Sequence, residues 1–264
     1  MRIGTMRTAT MGRLAALMAL GLLAASSSAS AQAILEATLA EPDQRTQEVS
    51  TAQLRQILAA GSAIVLDTRA QEEFEAGHIP GARNLGAPSA AAVGAVERLV
   101  NGNKAAALVL YCNGPYCQAS RRLGEQLADA KFTNVRRYQL GIPIWRALGG
   151  PTEIELPGIV RIFGVDRTAV FIDVRSASEF ATGTIPGARN LTIDNIEGTI
   201  RGMMSGQLQN APLPLDDFNR RLVLVGRDGA QARAFADAMS RRPWHNVAYY
   251  PGSFDAIAAA LAAK

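Results

Sequence analysis

Cysteine and histidine are scarce in this chain, with two of each among 264 residues. So few cysteines exclude a disulfide-stapled scaffold. His78 and His245 are far apart in sequence, and neither lies near a cysteine pair with ligand spacing, so no metal site is expected. No organic cofactor is expected either. Runs of like charge are also missing. The chain has 27 Lys and Arg against 23 Asp and Glu, and loss of a leader carrying Arg2, Arg7 and Arg13 would leave 24 against 23, a net charge of +1. A nearly neutral surface gives no electrostatic reason to expect nucleic acid or anionic lipid as a partner.

Long apolar runs are absent as well. The stretch from Leu14 to Ala25 is too short to cross a bilayer, and no later run is long enough. Preceded by arginines and followed by small residues ending in Ala29-Ser30-Ala31, it has the layout of a cleavable secretory signal over residues 1–31. Cleavage is expected after Ala31, with Ala33 as the alternative. The product would be periplasmic or secreted, with no membrane association after cleavage; an uncleaved anchor is the competing reading.

What the chain does have is an internal repeat. Asp67-Thr68-Arg69, Glu73-Phe74 and Gly77-His78-Ile79-Pro80-Gly81-Ala82-Arg83-Asn84-Leu85 recur as Asp173-Val174-Arg175, Glu179-Phe180 and Gly183-Thr184-Ile185-Pro186-Gly187-Ala188-Arg189-Asn190-Leu191, always 106 positions later. Chance does not hold such a register, and the offset is that of a whole domain. The expected division is 45–150 and 158–264, joined by the Gly- and Pro-rich stretch Leu148 to Pro157.

Each copy alternates strands and helices. In the first, strands are expected at 47–50, 63–66, 107–111 and 135–138, with helices at 51–60 and 120–130. The second offers strands at 169–172, 222–225 and 247–250 and a helix at 232–239 in the same order. This pattern predicts α/β domains, each a mainly parallel sheet flanked by helices on both faces. Trp145 and Trp244 are expected in the cores. The longer stretch between Leu191 and Leu222 in the second copy includes Ile196, Ile200, Met203 and Met204, which could give a helix an apolar face for core or interdomain packing rather than a partner site.

The D-x-R, E-F and G-H-I-P-G-A-x-N-L run resembles the first signature of the rhodanese family. Gly141 and Trp145 resemble its G-x-x-x-W ending. The resemblance implies two tandem rhodanese-like domains and sulfur-transfer chemistry. It implies that Asp67, Arg69, Glu73 and His78, with Asp173, Arg175 and Glu179, hold the strand-to-turn regions together, Pro80 and Gly81 being turn residues.

In this fold the nucleophile sits on the loop between the central strand and the next helix. Curled backbone N–H groups and a helix N-terminus there favour a thiolate and a persulfide anion. Cys112 occupies that address, and Asn113, Gly114, Tyr116, Gln118, Ala119, Ser120 and Arg121 form the expected substrate loop, Pro115 contributing no N–H. The resemblance implies that Cys112 takes sulfane sulfur from a small donor such as thiosulfate, expels sulfite, and passes the sulfur to cyanide or a thiol, an exported protein among the candidates.

Two residues are added between Cys112 and Ser120 relative to the second copy, so the cradle itself can differ from the family's. Cys117, nearer the helix, is read either as a resolving thiol able to form a disulfide or as a small buried residue. Related phosphatases need an arginine where Gln118 stands, which argues against phosphoryl transfer. The second copy has Gly226 in place of Cys112, followed by Arg227 and Asp228, and reads as structural. The rivals to sulfur transfer are a dithiol redox protein using Cys112 and Cys117, and a non-catalytic interaction module.

Overall fold

A computed structural model describes residues 32–86, 89–208 and 212–263; the leader reading of 1–31 falls outside them. The first domain runs β1 (Gln47–Glu48), α1 (Thr51–Ala60), β2 (Ile64–Asp67), α2 (Gln71–Glu75), β3 (Arg83–Asn84), α3 (Ala92–Leu99), β4 (Leu108–Tyr111), α4 (Ala119–Asp129), β5 (Val135–Tyr138) and α5 (Gly141–Ala147). Its five strands are parallel in the order β1-β5-β4-β2-β3.

β4 is apolar at every position because both faces of the central strand are covered, and all four residues are buried. Val109 and Tyr111 pack with Leu54, Ile57, Phe74 and Trp145 on one face; Leu108 and Leu110 pack with Val96, Leu123 and Leu127 on the other. α1 starts where Ser50 and Gln53 form a reciprocal capping box, and it stops at Gly61 in a left-handed conformation.

The second domain repeats the plan with β6 (Thr152–Glu153), α6 (Leu156–Arg161), β7 (Val170–Asp173), α7 (Ala177–Thr182), β8 (Arg189–Asn190), α8 (Ile196–Met204), β9 (Leu222–Val225), α9 (Gly229–Ser240), β10 (Val247–Tyr249) and α10 (Phe254–Ala262). Its sheet order, β6-β10-β9-β7-β8, matches the first. Trp145 and Trp244 are both buried, each closed by an indole N–H donated to a prolyl carbonyl, of Pro151 and Pro214 respectively.

Two expectations need correction. The stretch from Leu148 to Pro157 is not a bare linker, since it contains β6, which hydrogen-bonds into the second sheet, and the start of α6. The second structural unit therefore begins before residue 158. The helix at Ile196–Met204 has a counterpart in α3, so the extra residues of the second copy follow it rather than form it. Ile196 and Met203 of α8 are buried in the core, whereas Met204 is exposed.

The domains are tied through α2 and α6. Glu155 donates its backbone N–H to Glu75 O at 2.9 Å, and Gly158 lies so close that a Cβ there would sit 2.1 Å from Glu75 O. His78 and Glu153 exchange backbone hydrogen bonds at 2.9 Å, joining the first domain's signature turn to the edge of the second sheet.

Candidate active site in the first domain

At the C-terminal end of β4 the chain passes into Cys112, whose carbonyl accepts the Ile142 N–H at 3.1 Å. The seat for this loop is Gly141, at φ +66°. A Cβ there would fall 2.4 Å from Cys112 O and 2.3 Å from Gly114 N, so the glycine of the G-x-x-x-W ending is required by backbone approach as well as by conformation. Gly114 to Cys117 then form a tight turn, with Cys117 N–H donating to Gly114 O at 3.0 Å and Pro115 in the second position. Tyr116 stands at the tip, 96% exposed.

The turn brings Cys117 back to Cys112, and the two are joined in a disulfide with Cα atoms 6.1 Å apart. Cys112 itself is only 3% exposed. The free thiolate expected from the sequence is therefore masked, and the disulfide must be reduced before Cys112 can act as a nucleophile.

α4 opens without a side-chain cap, because Gln118 precedes it in a helical conformation and its side chain makes no capping bond. Among the described residues, the backbone N–H groups of Tyr116, Gln118, Ala119 and Ser120 find no acceptor. Uncapped donors at a helix start are suited to an anion. Two of the expected loop residues face elsewhere. Asn113 donates its side-chain amide to Glu73 Oε1 at 2.6 Å, which moors the loop to α2. Arg121 is held by Glu125 at 3.1 Å, by Glu41 at 3.9 Å and by Asp43 O, so its guanidinium serves the helix and the N-terminal segment rather than the loop. The Ser120 side chain is buried.

Beneath the loop, Asp67 and Arg69 form a fork at 3.0 and 2.5 Å, and Arg69 also donates to Gly77 O at 2.8 Å. Tyr111 donates its hydroxyl to Asp67 Oδ2 at 2.6 Å and accepts the Ile79 N–H at 3.1 Å. Burial and the Asp67 carboxylate push this phenol well above its usual range, so it stays a donor. In the second domain Asp173 and Arg175 repeat the fork, with Gly183 O as the further acceptor, and Thr184 supplies the hydroxyl at 2.7 Å that Tyr111 supplies in the first.

His78 stacks on Phe74 and places Nδ1 3.0 Å from Phe74 O and Nε2 3.2 Å from Glu153 Oε2. Glu153, which sequence reasoning passed over, also accepts the Tyr249 hydroxyl at 2.7 Å and the Gly81 N–H at 3.2 Å. Gln139 was missed too. It directly follows Tyr138, which pairs with Tyr111 at the end of β4; its side chain is buried and neither amide atom has a partner among the described residues.

The second loop is closed on itself. Asp228 Oδ1 accepts the Gln231 N–H at 2.8 Å, a side-chain cap that the corresponding helix of the first domain lacks. A Cβ on Gly226 would meet Asp228 O at 2.9 Å and Ala232 N at 3.0 Å, leaving no room for a cysteine. Arg227 is moored to Glu179 at 3.0 Å just as Asn113 is to Glu73. That guanidinium, with the Ser176 side chain and backbone, holds Glu179 down at about 2. Among the described residues, no group of three or more His, Cys, Asp or Glu is arranged to hold a metal, and no helix is long and apolar enough to cross a membrane.

Several known proteins are similar to parts of this chain. A thiosulfate sulfurtransferase structure from Pseudomonas aeruginosa is 21% identical, with a TM-score of 0.36, covering 78% of this chain and 43% of that one. The BH2092 protein from Bacillus halodurans is 26% identical over 41% of this chain and 77% of its own, with a TM-score of 0.35. The HTH-type transcriptional regulator Rv0324 of Mycobacterium tuberculosis is 32% identical over 109 residues, 41% of this chain and 46% of the regulator. The chain thus spans less than half the length of that regulator and of the Pseudomonas enzyme. The rhodanese-like domain model matches residues 50–148 and again 164–260, and the chain belongs to the rhodanese-like family as a tandem two-domain member.

Proposed function

We propose that this chain is an exported sulfurtransferase or persulfide carrier in which reduced Cys112 accepts sulfane sulfur. The donor would be a small anion of the thiosulfate type. The Cys112 thiolate attacks the outer sulfur, sulfite leaves with the bonding pair, and a persulfide remains on Cys112. The observation that carries this reading is the position of Cys112, on a loop that ends at the start of α4, whose N–H groups no side chain caps. Periplasmic or secreted localisation rests on the leader-like residues 1–31. The second domain is structural, its loop filled by Asp228.

The test uses protein reduced beforehand. Incubation with thiosulfate should release sulfite, and this release should be lost in Cys112→Ala. The Cys112–Cys117 disulfide favours a second reading, a dithiol redox protein. A disulfide that cycles without sulfite release would support that reading instead, and neither reaction would leave a docking module. Export is checked by recovering the chain from a periplasmic extract with Gln32 as its first residue.

A further inference from the structure

The Cys112–Cys117 bond bears on the fate of a persulfide formed in this loop. When Cys112 holds an extra sulfur, its own Sγ is the inner atom of the pair, and that is the atom to which Cys117 Sγ is joined in the structure. A Cα separation of 6.1 Å lies inside the range that such a bond spans without backbone movement. Cys112 is 3% exposed, whereas Cys117 is half-buried next to the fully exposed Tyr116. A bulky outside acceptor therefore meets Cys117 before it meets Cys112.

We infer that the first domain resolves its own persulfide, with Cys117 attacking Cys112 Sγ and expelling hydrosulfide, so that its true co-substrate is an external dithiol. The inference rests on the reading of Cys112 as sulfur acceptor. In the first step a bond forms between Cys112 Sγ and the donor's sulfane sulfur, and the bond to the sulfonate sulfur breaks, releasing sulfite. In the second step the Cys117 thiolate bonds to Cys112 Sγ. The persulfide bond breaks, and its electron pair leaves on the outer sulfur, which takes a proton from water. The sulfane sulfur is reduced to sulfide and the two thiols are oxidised to the disulfide. A dithiol then reduces that disulfide by exchange, entering at Cys117, the more accessible sulfur, and is itself oxidised. The turn tipped by Tyr116 is where such a reductant would approach.

The experiment compares the fully reduced chain with its Cys117→Ser variant, free of reductant and oxygen, after one equivalent of thiosulfate. The wild-type chain should release sulfite and sulfide in equal amounts and end two hydrogens lighter than it began. Cys117→Ser should release sulfite alone and retain one sulfur atom. If the wild-type chain also retains that sulfur and releases no sulfide, self-resolution is overturned while Cys112 stands as acceptor. If neither protein releases sulfite, the acceptor reading fails and the inference fails with it.

Discussion

Glu153 belongs to the second sheet through its backbone, yet its carboxylate receives His78 of the first domain at 3.2 Å. The same carboxylate takes the Tyr249 hydroxyl and the Gly81 N–H, so one acid fastens the signature turn of one domain to the strand edge of the other.

This relationship predicts a pH-dependent junction. Burial raises the Glu153 carboxyl, but the hydrogen bonds from His78, Tyr249 and Gly81 outweigh it and hold the group below its ordinary value of 4.5. A carboxyl depressed by folding contributes stability above its unfolded value and loses it as pH falls through the folded one. Glu153→Gln should therefore cost about 1–2 kcal/mol near neutral pH, and the two proteins should converge in acid. Urea unfolding at a series of pH values measures this, and an equal gap at all pH values would contradict it.

Gly141 gives a second prediction. Gly141→Ala must place a Cβ against Cys112 O and Gly114 N while holding φ at +66°. Strain and overpacking together should cost about 2–4 kcal/mol. Because the displaced atoms belong to the cysteine loop, sulfite release should fall more than stability alone explains. Kinetics measured well below the melting temperature separate the two effects.

Restoring a cysteine to the second domain should not restore chemistry. Gly226→Cys would press against Asp228 O and Ala232 N, at a cost of about 1–3 kcal/mol for overpacking. The adjoining helix start remains capped by the Asp228 carboxylate. In a Cys112→Ala background this variant should take up no sulfur, as intact-mass measurement after thiosulfate would report.

Gln139, in the turn after β5, is buried with its carboxamide unmatched among the described residues. An unsatisfied buried amide costs about 1–3 kcal/mol, and an apolar side chain of similar volume removes that cost. Gln139→Met should raise the melting temperature. A lower one would show that the carboxamide has a partner, such as a bound anion or water.

Much of this was legible in the sequence because the physics is local or repeated. The constant 106-residue register gave the duplication. Continuous apolar runs at 107–111 and 222–225 marked strands covered on both faces, and a capping residue at Ser50 or Thr51 located the start of α1. What stayed hidden depends on contacts distant in sequence. β6 is two residues long and carries no periodicity, so its stretch read as a linker. Glu153 acquires its role only when the domains meet. Arg121 is directed by Glu41 and Asp43, far away in the chain. The spacing of Cys112 and Cys117 left a disulfide open; the turn through Pro115 and Tyr116 is what brings the sulfurs together.

On the proposed function, the loop after β4 turns the thiol of Cys112 into a sulfur acceptor. The most direct measurement is a peptide mass map of Cys117→Ser, reduced, freed of reductant and treated with thiosulfate. One added sulfur is expected on the peptide carrying Cys112, removable by cyanide as thiocyanate. An unmodified Cys112 peptide from folded protein would contradict it.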